Sequence, residues 1–313
     1  MRLAAVFPGQ GSQSIGMGTD IVASDPAARD IFARAARVLG YDLLALVREG
    51  PEERLRETRY SQPAIFVTNV ALFEACRPQV IVTAGHSFAE FCSLTIAGSI
   101  SFEDALHVVD ERARSMQDAA ERAAGGMSAI LGLDTERVRP IVDRVRAQTG
   151  ARVQLANFNS PTQIVISGDL DGVRIAGDLL LESGAKRVVP LNVSGAWHSE
   201  LMAPAVGRFS KAVEAAHFSV PRFDVISNVD GKPYREIGHI KANLIRSITD
   251  EVRWHETVLC MLTYDLDLVV EFGSGAILTP MMRRMGNAPR THVVSDASGA
   301  KTLADLMEDE VRA

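Results

Sequence analysis

A serine between small residues is the feature of this sequence best suited to covalent chemistry. Ser87 lies in the segment 85–89 (GHSFA), after the apolar run 80–84 and before residues 90–96. The apolar run predicts a buried strand, and residues 90–96 predict the start of a helix. This order is the layout of a nucleophile elbow, in which a sharp turn exposes the serine hydroxyl and directs a helix N-terminus at the substrate. Ala89 occupies the position where the elbow pattern has its second glycine.

Serine becomes an effective nucleophile only when a base accepts its proton, so the seven histidines are the next residues to weigh. His198 is the preferred candidate, because it lies where a predicted small subdomain returns the chain to the larger domain. Ligand sites are common at such domain boundaries. His86 is adjacent to the serine, but the turn should point it away. For each histidine, a surface residue or a satisfied core residue remains the alternative.

The long helix predicted after the elbow presents an arginine on its apolar side. At about 100° per residue, Arg112 falls on the same stripe as Val109 and Met116, whereas Arg114 lies about 180° away. A buried guanidinium needs an anionic or multiply accepting partner, and no acid on this stripe supplies one. The pattern leaves two interpretations open: a salt bridge to another element, or a bidentate grip on a ligand carboxylate.

Strands alternate with helices along most of the chain, which indicates an α/β fold with a mainly parallel sheet covered on both faces. Between residues 126 and 194 the predicted order is β-α-β-β-α-β, which is the ferredoxin-like arrangement. We therefore predict a discontinuous larger domain over residues 1–125 and 195–313, and a ferredoxin-like subdomain over residues 126–194.

Composition excludes several classes of function. The chain has 313 residues, a net charge of −6 and 47% hydrophobic residues, so neither nucleic acid nor an anionic membrane is a favoured partner. Its three cysteines lie in apolar runs and indicate reduced core residues, and the apolar start of the chain is too short for a signal peptide. We expect a cytoplasmic location. The loop 9–13 lacks the lysine of a phosphate-binding loop, which disfavours nucleotide binding.

Taken together, six segments resemble the malonyl-CoA:acyl carrier protein transacylases, which include the acyltransferase domains of polyketide and fatty acid synthases. They follow the family's order over nearly the whole chain: residues 8–13, 85–87, 112–117, 157–161, 195–198 and 252–254. The fold that this resemblance implies is an α/β-hydrolase-like core with a parallel sheet and an inserted ferredoxin-like subdomain. That fold agrees with the order of predicted elements.

The resemblance also implies a role for each candidate residue. Ser87 would be acylated, and His198 would be its base and later the acid that protonates the leaving thiol. Arg112 aligns with the arginine that holds the malonyl carboxylate, and the backbone N–H groups of Gln10 and Phe88 would form the oxyanion hole. The implied activity is malonyl transfer from coenzyme A to the phosphopantetheine thiol of an acyl carrier protein. We expect a monomer that uses no cofactor and no metal ion.

Two segments bear on the choice of acyl group. Residues 57–62 resemble a segment of malonyl-specific members, and Trp197 stands where their Gly-Ala-Phe-His motif has phenylalanine. A bulky aromatic ring beside the base leaves little room for a substituent on the malonyl α-carbon. We expect malonyl to be preferred over methylmalonyl, although a methyl group is worth only about 1–3 kcal/mol of discrimination.

The sequence departs from the family pattern at Ala89, at Ser274 in place of a proline, and at Ser247, where bacterial members often have glutamine. These departures favour a polyketide assembly line without its own acyltransferases over fatty acid synthesis. Without a ketosynthase or carrier segment, the protein is expected to act in trans. Two alternatives remain: a proofreading hydrolase, which would have no use for Arg112, and a catalytically silent carrier-binding protein.

Overall fold

The computed structural model describes residues 1–285 and 288–312 of the chain. Its strands are β1 (Leu3–Phe7), β2 (Val82–Gly85), β3 (Gly125–Leu131), β4 (Val153–Ser160), β5 (Gln163–Asp169), β6 (Arg187–Pro190), β7 (Asp224–Val225), β8 (Leu268–Phe272) and β9 (Arg290–Val294). Its α-helices are α1 (Thr19–Ser24), α2 (Pro26–Leu39), α3 (Leu43–Glu49), α4 (Glu52–Arg56), α5 (Thr58–Cys76), α6 (Glu90–Ile96), α7 (Phe102–Arg122), α8 (Thr135–Thr149), α9 (Leu170–Glu182), α10 (Ala203–Ala215), α11 (Ile237–Arg246), α12 (Trp254–Leu262), α13 (Leu278–Arg283) and α14 (Ala297–Arg312). Short 3-10 helices cover Ser87–Ala89 and Glu200–Met202.

A parallel five-stranded sheet, in the order β7-β2-β1-β8-β9, forms the centre of the larger unit. Strand β1 is buried at every residue because helices cover both faces of the sheet. Its side chains alternate between the two faces: Ala5 and Phe7 pack into one core, and Ala4 and Val6 pack into another. The loops after β1, β2 and β8 therefore meet at the carboxyl edge of the sheet, where open α/β sheets bind ligands.

A separate antiparallel sheet has the order β4-β5-β3-β6, with helices α8 and α9 packed on it around their own apolar core. The predicted β-α-β-β-α-β order is present, and the predicted fold class is confirmed. The sheet begins at Gly125 and ends at Pro190. The exact bounds assigned to the two domains stay a prediction.

Helix α7 holds the candidate residue Arg112 on its buried side. Ser101 caps its N-terminus, accepting a hydrogen bond from the backbone of Asp104 at 3.1 Å. Val109 and Met116 are buried on its inner side, as the apolar period predicts. Over residues 1–285 and 288–312, no helix has the length and hydropathy that crossing a bilayer requires.

Candidate active site

The predicted elbow is present at the end of β2. Ser87 has a φ of +56°, a left-handed conformation that costs a non-glycine residue about 1–2 kcal/mol. A Cβ atom at Gly85 would lie 1.9 Å from the carbonyl oxygen of Ala89, so the turn closes only with glycine at that position. Ala89 itself is fully buried, and the 3-10 turn it ends leads directly into α6. The turn tolerates alanine as its fifth residue.

His198 lies directly against this serine, although 111 residues separate the two in sequence. Its Nε2 atom is 2.8 Å from Ser87 Oγ, and its Nδ1 atom is 3.2 Å from the carbonyl oxygen of Asp250. A carbonyl oxygen can only accept, so Nδ1 carries the proton and Nε2 is left as the acceptor facing the serine. A backbone carbonyl thus occupies the place that a carboxylate has in a Ser-His-Asp triad.

The protonation state of His198 suits a general base. Burial lowers the pKa of His198 to about 3, and the positive charge of Arg112 and the neighbouring His86 act in the same direction. The imidazole is therefore neutral at pH 7 and able to accept a proton. Gln154 holds the segment in place, because its side-chain amide donates to the carbonyl oxygens of His198 and Thr249 at 3.3 and 3.2 Å.

Arg112 extends from α7 to the same serine and is only 1% exposed. Its Nη1 donates to Gln62 Oε1 at 2.9 Å and its Nη2 to Ser87 Oγ at 3.4 Å, while Nε has no hydrogen-bond partner in the described chain. Burial lowers the pKa of Arg112 to about 9, and the charge of Glu90 opposes that change. Arg112 is thus a buried cation at neutral pH. No carboxylate of the described residues is hydrogen-bonded to it.

The two residues predicted to form the oxyanion hole flank the serine. Gln10 follows β1 and lines the cavity, and its side chain joins Thr58 at 3.1 Å and Gln62 at 3.4 Å. Phe88 follows Ser87 at the start of the 3-10 turn and is buried, with its ring centroid 5.9 Å from the Arg112 guanidinium carbon. Their backbone role toward a substrate oxygen stays a prediction.

A cavity of about 210 Å³ opens over the serine, between the parallel and the antiparallel sheets. It is lined by Ser87, His198 and Arg112, and by Met127 and Asn157 of the antiparallel sheet. Trp197 also lines the cavity and is 4% exposed. Its ring packs so closely on residue 195 that a Cβ there would lie 2.7 Å away, which explains the glycine at that position.

Comparison with known proteins agrees with this geometry. The family model described as the acyl transferase domain matches residues 5–310. The chain belongs to the acyl transferase domain family. It is 38% identical to the malonyl CoA-acyl carrier protein transacylase of Bacillus subtilis, over 99% of this chain and 98% of that protein.

Solved acyltransferases have the same fold. The structure of an acyl carrier protein S-malonyltransferase from Vibrio cholerae superposes with a TM-score of 0.92 at 38% identity, covering 97% of this chain and 100% of that one. A malonyl-transacylase solved in complex with a type II polyketide synthase acyl-carrier protein gives a TM-score of 0.93 at 38% identity, covering 96% and 98% of the two chains.

Two departures of this acyltransferase from the family pattern have defined contacts. The hydroxyl of Ser247 donates to the carbonyl oxygen of Leu244 at 2.7 Å. The backbone of Ser247 raises the pKa of His198, which partly offsets the lowering by burial. Ser274 lies 2.9 Å from Ser14, so the two hydroxyls join the loops that follow β8 and β1.

Sequence reasoning gave no role to three polar residues that this acyltransferase places around the elbow. Gln62 accepts a hydrogen bond from Arg112, a contact that the resemblance of segment 57–62 to malonyl-specific members did not by itself predict. Asn159 Oδ1 accepts a hydrogen bond from Nε2 of His86 at 3.0 Å, so this ring is bonded to the antiparallel sheet. Asn228 contacts the elbow backbone itself, and no motif around it pointed to that contact.

Proposed function

We propose that this acyltransferase moves a malonyl group from coenzyme A to the phosphopantetheine thiol of an acyl carrier protein, through a malonyl ester of Ser87. The observation that carries the proposal is the position of Arg112. A buried cation lies 3.4 Å from Ser87 Oγ and is hydrogen-bonded to neutral oxygens, not to a carboxylate, among the described residues. An acyl group with a free carboxylate would supply the missing charge.

The first half-reaction uses the pair of Ser87 and His198. As Oγ attacks the thioester carbonyl, Nε2 of His198 accepts its proton. The backbone N–H groups of Gln10 and Phe88 would stabilise the negative charge on the tetrahedral oxygen. Collapse of that intermediate breaks the carbon–sulfur bond, and the proton on His198 passes to the departing coenzyme A thiol.

The second half-reaction reverses these steps with a different thiol. His198 accepts the proton of the carrier's phosphopantetheine thiol, whose sulfur attacks the malonyl ester, and then returns that proton to Ser87 Oγ. A thioester and a serine ester are close in energy, so the protein needs mainly to orient the thiol and exclude water. We propose that no cofactor or metal takes part, and that the enzyme acts as a cytoplasmic monomer.

Selection of the acyl group would depend on two buried residues. Arg112 can donate two parallel hydrogen bonds to the malonyl carboxylate, an arrangement that acetyl cannot use. Trp197, beside the base, limits the space for an α-substituent and so favours malonyl over methylmalonyl. A proofreading hydrolase for neutral acyl groups would bury the Arg112 charge to no advantage, which disfavours that alternative.

The test is covalent labelling. Malonyl-CoA should add one malonyl group to the wild-type protein, as measured by intact mass, and none to Ser87→Ala. Subsequent addition of a holo acyl carrier protein should move the group to the carrier faster than water releases it. Labelling that persists in Ser87→Ala would disprove the malonyl-serine intermediate, and release of free malonate without transfer would indicate a hydrolase.

A further inference from the structure

A buried asparagine is hydrogen-bonded to the backbone of the elbow that holds the nucleophile. Asn228 lies in the loop between β7 and α11 and is 1% exposed. Its Oδ1 accepts the backbone N–H of Ser87 at 3.1 Å, and its Nδ2 donates to the carbonyl oxygen of Gly85 at 2.6 Å. One side chain therefore binds the backbone on both sides of His86, across the sharpest part of the turn.

Two further buried residues fix the orientation of this amide. Glu90 Oε2 accepts from Asn228 Nδ2 at 2.5 Å and from the Asn228 backbone N–H at 2.8 Å. Tyr234 donates to the other carboxylate oxygen of Glu90 at 2.5 Å. The carbonyl of Gly85 can only accept, so Nδ2 must face it and Oδ1 must face Ser87. The amide has a single orientation that satisfies all of these partners.

These contacts have two consequences for the chemistry of Ser87. The left-handed φ of +56° is unfavourable for serine, and Asn228 holds the backbone on both sides of that residue. The N–H of Ser87 is also already bound, so it is not a donor to the substrate oxygen. That leaves the N–H of Phe88, the next residue, to face the substrate.

We propose that Asn228, supported by Glu90 and Tyr234, is a positioning residue for the nucleophile. It sets the elbow so that Ser87 Oγ lies 2.8 Å from His198 Nε2 without itself contacting the acyl group. This inference rests on the proposed function, because it assigns Asn228 to the acylation step of the same site. It requires Asn228 to affect the rate of acylation and to leave the binding of malonyl-CoA unchanged.

The experiment separates rate from affinity. Single-turnover acylation by malonyl-CoA is followed by rapid quench and intact mass in wild type and Asn228→Ala, and affinity for malonyl-CoA is measured by calorimetry with Ser87→Ala in both backgrounds. We expect acylation to slow by roughly 10- to 100-fold, the scale on which a small misplacement of a reacting group acts, with affinity changed less than about threefold. If Asn228→Ala does not fold, Asn228→Ser leaves room for a water beside Glu90 and is measured in its place.

Ser99→Ala is the control. Ser99 is a buried polar residue that donates to the carbonyl oxygen of Ser219 at 2.6 Å and is not hydrogen-bonded to the elbow or to the loop of Asn228 in the described chain, so its loss should lower stability and leave acylation within about threefold of wild type. Equal slowing in both variants, or unchanged acylation in folded Asn228→Ala, would overturn the inference. If wild type accepts no malonyl, the proposed function fails by itself. The same comparison with a neutral arylsulfonyl fluoride then tests whether Asn228 positions Ser87.

Discussion

Helix α7 has an arginine on each of two opposite faces, one exposed to solvent and one buried. On the outer face, Arg114 is 41% exposed and donates to Asp110 one turn earlier at 2.8 Å. On the inner face, two residues before it, Arg112 is 1% exposed and donates to Gln62 and Ser87. The outer cation is paired within its own helix, whereas the inner one has no carboxylate bonded to it among the described residues.

From this difference we infer that the inner arginine, and not the outer one, depends on a ligand. An ion pair spaced by one helical turn at the surface contributes less than about 1 kcal/mol, and here the Arg114 side chain is in contact with solvent although that of Asp110 is only 14% exposed. Inside the protein, burial lowers the pKa of Arg112 to about 9, because water cannot reach the guanidinium. A bound carboxylate would relieve that cost, so substitutions on the inner face should change substrate use and substitutions on the outer face should not.

The largest expected effect is on the rate of acylation, and it comes from His198, which lies next to the inner face of α7. His198→Ala should slow acylation of Ser87 by a factor on the order of 10²–10⁴, because the serine loses its proton acceptor. Single-turnover acylation by malonyl-CoA measures this rate, with the affinity for malonyl-CoA as the control for folding. Acylation at the wild-type rate would show that another group accepts the proton.

The next effect compares the two arginines directly. Arg112→Ala should lose roughly thirty- to several-thousand-fold in malonyl transfer, the rate equivalent of about 2–5 kcal/mol for an unpaired charge partner. Transfer of neutral acetyl should lose little, and Arg114→Ala should stay within about twofold for both substrates. The assay is transfer to a carrier protein from malonyl-CoA and acetyl-CoA, with circular dichroism to check folding. Equal losses for both substrates in Arg112→Ala would make Arg112 a structural residue.

A smaller effect is expected from pH. The pKa of His198 is lowered to about 3, so kcat/KM for malonyl-CoA should change less than about threefold between about pH 8 and about pH 5. Stability should respond instead: the unfolded chain protonates this histidine below about pH 6.5 and the folded one does not. The free energy of unfolding should therefore fall as the pH is lowered from about 6.5 toward about 3, because in that range only the unfolded chain binds a proton at this histidine. A rate profile with a midpoint near pH 6.5 would contradict a buried, neutral base.

The smallest effect belongs to the outer face. Arg114→Ala should lower the free energy of unfolding by less than about 1 kcal/mol, and by less still at high salt, because solvent and salt reach the guanidinium of this pair. Urea unfolding at low and high ionic strength measures it. A loss above about 2 kcal/mol would mean that the outer pair is as tightly coupled to the core as the inner arginine.

Features that depend on local sequence could be predicted. The inward direction of Arg112 follows from the helical period, and the elbow at Ser87 follows from a strand, a glycine turn and a helix in succession. The ferredoxin-like order was also readable, because each strand and helix of that segment has its own pattern. The pairing of His198 with Ser87 was predicted from its place at a domain boundary and from the family resemblance, since nothing within either segment fixes a distance across the fold.

By itself, the sequence made Ser87, His198 and Arg112 the candidates for the chemistry and determined which face of α7 is buried, because periodicity and turn geometry act over a few neighbouring residues. Only the tertiary structure decided how those residues are supported. The backbone carbonyl of Asp250 accepts from His198, and Gln62 accepts from Arg112. Asn228 accepts from the backbone of Ser87, which lies 141 residues away in sequence. These are hydrogen bonds between distant segments, whose geometry is set by how the two sheets and their loops pack and is not encoded in any single stretch of chain.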